Sequence, residues 1–290
     1  MNEPTQTIHA VPLPILGVLR VGGGDAVRFL QGQLTNDVRL LEDGRTQLAG
    51  YSTPQGRVIA LLRLHKVDDV IYALLPADLL EQVCTLFRRF VLRSKVDLQI
   101  AADLQVGTVA TIPALPDATS AQVVAFEYAP GRRVIAAPPH TWRSIPGLAL
   151  AGAQPHFLDE WLAADIRDGQ PQVFASTSEA FIPQMLNLDL VGGISFSKGC
   201  YTGQEIVART QNLGRIKRRM FRYRVDGGTP PPPLAGLHLD GAKVAEVLTS
   251  ATLGGKVELL AVTSLEARDR ALRLEDGRSA APVDMAYEVP

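Results

Sequence analysis

Hydrophobic and polar positions along the chain follow two periods. Residues 15–21 form a short apolar run that ends in Gly22-Gly23-Gly24. Ala26, Phe29, Leu30 and Leu34 then recur at helical spacing. This predicts a strand, a tight turn and a helix that Asp25 can cap. Residues 47–75 read as a β-meander. It turns at Thr53-Pro54-Gln55-Gly56 and at Val67-Asp68-Asp69. A helix is predicted over 77–92, with Leu79, Leu80, Val83, Phe87, Phe90 and Val91 on its core face, and Cys84 beside them as a packed thiol. Residues 95–100 read as another strand, so the order β-β-α-β suggests an antiparallel sheet covered on one face by a helix.

The next stretch, 105–137, divides into three short strands separated by Pro113, Pro116 and Pro130-Gly131. Phe157, Leu158, Trp161, Leu162 and Ile166 form a helical stripe that ends near Gly169. Asp165 and Asp168, near its end, either act together or form a solvated last turn. Residues 170–194 carry no period, since Phe181-Ile182-Pro183 and Asn187 interrupt it. After a proline run at 229–233, short strands alternate with Asp240-Gly241, Gly254-Gly255 and Asp276-Gly277 turns. That pattern predicts a small all-β unit, a barrel.

Length and charge narrow the picture. A chain of 290 residues implies two or three domains. With 29 basic against 30 acidic residues, attraction to nucleic acid has to be local. The local candidate is 215–224, where six of ten residues are basic and Phe221 and Tyr223 are interleaved. As a strand it places Phe221, Tyr223 and Val225 on one face and Arg222 and Arg224 on the other. It is either a solvated strand face or a patch for an RNA backbone. Two cysteines argue against a disulfide framework and against an iron–sulfur cluster held by one chain. They fit a reducing, cytoplasmic compartment. The polar start of the chain does not read as a secretory signal, and no apolar run reaches membrane-spanning length.

The most distinctive stretch is Ser195-Phe196-Ser197-Lys198-Gly199-Cys200-Tyr201-Thr202-Gly203-Gln204-Glu205. Thr202 and Glu205 have the spacing of a capping box, with a helix running on to about Asn212. Cys200 precedes that helix start, and Lys198 and Arg209 add positive charge. Those conditions favour a reactive thiolate with a depressed pKa. The plainer alternative is a cysteine packed in a helix-entry turn. Gly199 and Gly203 allow the backbone to approach a ligand or another strand closely. Elsewhere, chemistry is excluded by spacing. The five histidines form neither H-E-x-x-H nor a zinc pattern, there is no Gly-x-Ser-x-Gly elbow, and the triple glycine lacks the spacing of a nucleotide loop.

Phe181-Ile182-Pro183-Gln184, Gly192-Gly193-Ile194-Ser195-Phe196, Lys198 to Glu205, and Val207-Ala208-Arg209 together resemble the YgfZ-type folate-binding proteins, relatives of the glycine-cleavage T-protein (aminomethyltransferase). Phe29-Leu30-Gln31-Gly32-Gln33-Leu34-Thr35-Asn36-Asp37-Val38 extends the likeness to the start of the chain. The resemblance implies an α+β, three-lobed T-protein-like fold with mixed or antiparallel sheets, helices and a small C-terminal β-barrel. The expected domains are 1–46 with 103–150, 47–102 with 151–213, and 214–290. It also implies tetrahydrofolate or a one-carbon derivative as ligand. The implied role supports iron–sulfur enzymes or their assembly factors, including tRNA-thiolating enzymes, with tRNA contact through Arg215 to Arg224. The chain is read as a monomer.

By the same resemblance Cys200 is the functional thiol, with Lys198 beside it. Trp161 matches a folate contact. Leu16 stands where some relatives have a second tryptophan, and Asp168 where T-proteins have a pterin-reading Glu. Tyr201, Gln204, Glu205 and Arg209 complete the expected folate contacts. T-proteins carry a catalytic Asp just after a segment matching Gly56-Arg57-Val58-Ile59, where this chain has Ala60-Leu61. A folate-binding accessory protein is therefore expected rather than an aminomethyltransferase.

Overall fold

The computed structural model describes residues 8–109, 123–144, 148–150, 157–212 and 216–290. In chain order the first elements are β1 (Ile8–Pro12), β2 (Leu16–Gly22), α1 (Ala26–Gln33), β3 (Thr46–Ser52), β4 (Val58–Val67) and β5 (Val70–Pro76). There follow α2 (Leu80–Val91), β6 (Asp97–Ile100), β7 (Gln105–Val109), β8 (Val124–Ala129), β9 (Arg132–Ala137), α3 (Pro139–Ser144) and β10 (Leu148–Leu150). The second half holds α4 (Phe157–Arg167), α5 (Gln204–Asn212), β11 (Arg218–Asp226), β12 (Gly236–Leu239), β13 (Ala242–Leu253), β14 (Lys256–Ser264), β15 (Leu272–Leu274) and β16 (Ser279–Val283). The strands build two five-stranded sheets, in the orders β10-β1-β7-β9-β8 and β3-β4-β5-β2-β6, and a closed barrel β11-β14-β13-β12-β15-β16. The expected α+β class with a C-terminal barrel is found. Residues 110–122, between the first and second of the strands expected over 105–137, lie outside the described residues.

By contacts the chain divides into one unit of Met1–Ala49 and Leu61–Pro155 and another of Gly50–Ala60 and His156–Pro290. The strand grouping differs from the expected 1–46 with 103–150. β2 pairs with β5 and β6, so residues 16–22 belong to the sheet of 46–100. Only β1 joins the later strands, antiparallel to β7 and parallel to β10.

In the first unit the triple glycine is a tight turn, and its role is steric. Gly23 has φ +93, and a Cβ there would meet the Lys95 carbonyl oxygen at 2.3 Å. Asp25 does not cap α1. Its carboxylate accepts the Lys95 N–H at 2.7 Å and so ties the turn to the approach of β6. The helix expected over 77–92 begins as a 3-10 turn at Ala77–Leu79 and continues as α2. Leu79, Val83, Cys84 and Phe87 are buried, and Phe87 meets Phe29 of α1 edge to face at 5.6 Å. Phe90, expected in the core, is 45% exposed. The apolar stripe drifts off the core in the last turn, where Arg88 and Arg89 bracket it.

Side chains of β3 and β4 meet β8 of the other sheet within this unit. Arg63 of β4 stacks its guanidinium 3.6 Å from the Tyr128 ring centroid and donates to the Tyr128 carbonyl. The Glu127 N–H donates to Thr46 Oγ1, which lies 3.1 Å from His65 Nδ1. The Thr46 hydroxyl, besides accepting from Glu127, can either donate to Nδ1 or accept from it, and both arrangements suit a neutral imidazole. Burial lowers the His65 pKa to about 4.

In the second unit, α4 packs on β13 and β14, and the barrel core is filled by Phe221, Tyr223 and Val225 with Val247, Val257 and Leu259. The alternation expected for this strand is found. The opposite face of β11 is not simply solvated, however. Glu258 accepts from both Arg222 and Arg224, at 2.9 and 2.8 Å, and Arg218 pairs with Glu246. Arg219 is buried. It donates to both carboxylate oxygens of Asp189, at 3.0 and 2.8 Å, and to the Gln184 carbonyl. Arg215 lies outside the described residues. The sequence showed the run's positive charge but not these carboxylates, which arrive from distant strands and loops.

Two outcomes are expected. Unfolded histidine titrates near 6.5, whereas folded His65 titrates at about 4, so between those values only the unfolded chain takes up the proton. Stability should therefore hold above pH 6.5 and fall as pH drops towards 4. His65→Gln should remove up to about 3 kcal/mol of that fall, measured by denaturant titration across pH. Separately, Asp189→Ala leaves a buried guanidinium uncompensated and should cost about 3–5 kcal/mol, whereas an apolar replacement of both partners should recover most of it.

Candidate functional site

The segment from 178 to 204 belongs wholly to the second unit, and its shape follows from where its backbone groups bond. The Val58 N–H donates to the Phe181 carbonyl at 2.8 Å, the Glu179 N–H to the Val58 carbonyl at 2.7 Å, and the Ser178 hydroxyl to the Ile59 carbonyl at 2.8 Å. Arg57 also donates to the Ala180 carbonyl. Phe181-Ile182-Pro183 thus docks on the start of β4. Pro183 opens a 3-10 turn that Asn187 ends in the left-handed conformation, φ 56, which asparagine tolerates. Gln184, fully buried, donates through Nε2 to the Val207 carbonyl of α5, and Asn187 donates to the Met220 carbonyl of β11. The missing period at 170–194 was legible. The roles of Gln184 and Asn187 in bridging helix and barrel were not.

The KGCYTGQE segment enters α5 differently from the expected capping box. The helix starts at Gln204, and the Glu205 carboxylate accepts from Arg209 at 2.6 Å one turn on, without reaching back to Thr202. In the place of a cap there is a backbone contact. Gly203, φ +82, lies so close to the Thr53–Gly56 turn that a Cβ would meet the Thr53 carbonyl oxygen at 2.5 Å. A Cβ on Gly56, φ +73, would meet Ile206 Cβ at 2.7 Å. Gly203 therefore serves the approach of the β3–β4 hairpin, whereas a Cβ on Gly199 would meet nothing within 4 Å.

Between these anchors the chain turns two side chains inward and one outward. Lys198 and Tyr201 are buried, and the Lys198 ammonium stands 4.8 Å from the Tyr201 ring centroid. Such a cation–π contact orients both groups. Burial raises the Tyr201 pKa to about 12, so it remains a neutral phenol. Gly199 and Cys200 between them are exposed. The alternative of a packed Cys200 does not hold. Cys84 is the packed thiol, and burial pushes its pKa up.

The other expected site residues are spread more widely. Tyr201, Gln204, Glu205 and Arg209 come together around the start of α5. Glu205 and Arg209 form an exposed pair, which contributes little to stability and can open to a ligand. Trp161 lies on α4 and is only 4% exposed, so its ring faces are already packed and a pterin would need a neighbouring group to move. Asp168, half-buried, ends the same helix, whereas Asp165 is buried rather than part of a solvated turn. Leu16 is buried on β2, in the other unit. Among the described residues no group of three or more His, Cys, Asp or Glu is placed to hold a metal ion. No described helix is long and apolar enough to cross a membrane.

No protein-family model matches the chain. Comparison with individual proteins is more informative. The chain is 32% identical over 223 residues to the tRNA-modifying protein YgfZ of Hamiltonella defensa, covering 71% of this chain and 66% of that protein. It is 32% identical over 259 residues to the protein of the same name from Photorhabdus laumondii, covering 83% and 77%. Among solved structures it is similar to the glycine cleavage system aminomethyltransferase T of Bartonella henselae. That match has a TM-score of 0.72 at 14% identity, over 96% of this chain and 85% of the other. The fold is thus that of the T-protein, and by sequence the chain belongs to the YgfZ family.

Proposed function

We propose that the protein is a tetrahydrofolate-binding accessory factor in tRNA modification, supporting iron–sulfur enzymes such as those that thiolate tRNA bases, with Cys200 as its working thiol. The observation that carries this reading is the contrast between the cysteines. Cys200 is held outward on a segment pinned at Lys198–Tyr201 on one side and at Gly203–Gly56 on the other. Cys84 is sealed in the core. A single presented thiol suits capture of a partner's sulfur or donation of one ligand to a cluster shared with a client. The relatives named as tRNA-modifying proteins support the same reading.

Aminomethyl transfer is the weaker reading. Ala60 and Leu61 stand where T-proteins carry the catalytic Asp, and neither has a carboxylate to steer a proton at a folate nitrogen; both are fully buried. For the folate itself, Gln204 and the Glu205–Arg209 pair supply polar groups near Cys200, and Asp168 supplies an acceptor. Trp161 supplies an aromatic wall once its packing opens.

Tetrahydrofolate titrated against intrinsic fluorescence should give saturable binding. Trp161→Leu, which keeps apolar bulk in the core, should weaken it by about 1–3 kcal/mol on the scale of base–aromatic stacking. Unchanged affinity would put the pterin elsewhere. For the thiol, native protein should consume one equivalent of an alkylating reagent, at Cys200, with Cys84 reacting only on unfolding. In a deletion strain, Cys200→Ala should leave a folded, folate-binding protein that fails to restore thiolated tRNA bases, and full restoration would reduce Cys200 to a surface residue.

A further inference from the structure

The arginines of the conspicuous basic run on β11 are engaged by carboxylates within their own unit, Arg218, Arg219, Arg222 and Arg224 all forming ion pairs. A less conspicuous set of cations in the first unit is not. Arg28 on α1, Arg88 and Arg89 on the last turn of α2, and Arg93 and Lys95 just after it are all exposed. Among the described residues, none of these five forms an ion pair.

Arg28 and Arg93 line an open groove of about 850 Å³ between α1 and the end of α2. Phe90 forms part of its wall with the ring 45% exposed, and Gly32 leaves room at its base, where a Cβ would meet nothing within 4 Å. Gln33 lines it too. Its side chain is nine-tenths buried, with Oε1 lacking any hydrogen-bond partner. The one carboxylate on the groove, Asp25, is engaged by the Lys95 N–H. At the rim Leu92 is 86% exposed and takes φ 44, a strained backbone for a leucine. Strain and an exposed apolar side chain together mark a surface shaped for something other than solvent.

We propose that this groove binds a single-stranded RNA segment. Arg28 from α1 and Arg93 from just after α2 suit phosphates of one strand, with Arg88, Arg89 and Lys95 close by in the chain. The open Phe90 ring offers a face on which a base stacks, and the unsatisfied Gln33 Oε1 can accept from a base edge. Duplex RNA lacks the free bases that such a groove would stack and read. The choice of RNA rests on the tRNA part of the function proposed above, whereas the groove's charge and aromatic face are independent of it.

The test is fluorescence anisotropy of a labelled single-stranded RNA oligonucleotide with the full chain, beside the same sequence as a duplex and beside vesicles of phosphatidylserine and phosphatidylcholine. The single strand should bind best, with log affinity falling linearly against log salt. Arg28→Ala and Arg93→Ala should each reduce that slope by about 0.7. Phe90→Ala should weaken binding about tenfold with the slope unchanged. Lys217→Ala and Arg222→Ala should leave binding as it was. All five positions are at least partly exposed, and matched thermal melts establish that the variants fold. No binding at low ionic strength, or binding indifferent to Arg28, Phe90 and Arg93, overturns the proposal, and vesicle binding without RNA binding assigns the groove to an anionic lipid surface instead. Restoration of thiolated bases in the deletion strain is read separately, so the groove can fail while the proposed function stands.

Discussion

A buried guanidinium organises the second unit. The Arg219 side chain projects from the barrel strand β11 into a site where Asp189, Gln184 and Asn187 accept from its two terminal nitrogens. In a low-dielectric interior such a charge is tolerable only when it is paired and hydrogen-bonded throughout. The requirement fixes the course of 184–189. That segment in turn fixes α5 through Gln184 and the barrel through Asn187. The segment presenting Cys200 is strung between these points, so its exposure is set by packing at both ends rather than by any preference of its own residues.

Charge in this chain is distributed in a way that composition conceals. Ten residues with six cations look like the electropositive surface of the molecule. Folding brings three carboxylates, from β13, β14 and the 183–190 segment, against four of them, and about half of the run's charge is met at short range. The arginines around α1 and α2 keep theirs. Short-range pairing depends on which strands become neighbours, and topology decides that.

Much of the fold was legible because it rests on local rules. The meander at 47–75, the stripe of α4, the glycine-marked turns of the barrel and the inward facing of Phe221, Tyr223 and Val225 all follow from period and turn chemistry. Readings failed where another group took the same atom, or where an apolar stripe outran the core. Asp25 satisfies Lys95, 70 residues away, instead of its own helix, Glu205 takes Arg209 one turn on instead of the Thr202 turn, and Phe90 in the last turn of α2 is left exposed. The grouping of β2 with β5 and β6 was missed because pairing partners far apart in sequence leave no local mark. For the site, the motif located Cys200 and Lys198, but the burial of Lys198 and Tyr201 on either side of an exposed cysteine needed coordinates.

The hairpin between β3 and β4 has a consequence for how the chain is made. Its tip, residues 50–60, emerges early in synthesis, yet the groups that complete it come from Ser178 to Phe181 and from α5. Ser178 follows Ile59 by 119 residues. At about 5–20 residues per second, that separation leaves the tip waiting roughly 6–24 s on the ribosome. During that interval the Val58 N–H and the Ile59 carbonyl have neither Phe181 nor Ser178, and Gly56 faces solvent where Ile206 will later sit. Gly56, which lets helix and hairpin touch, also leaves a nascent strand end without side-chain cover, and the chain must pass through that state each time it is translated.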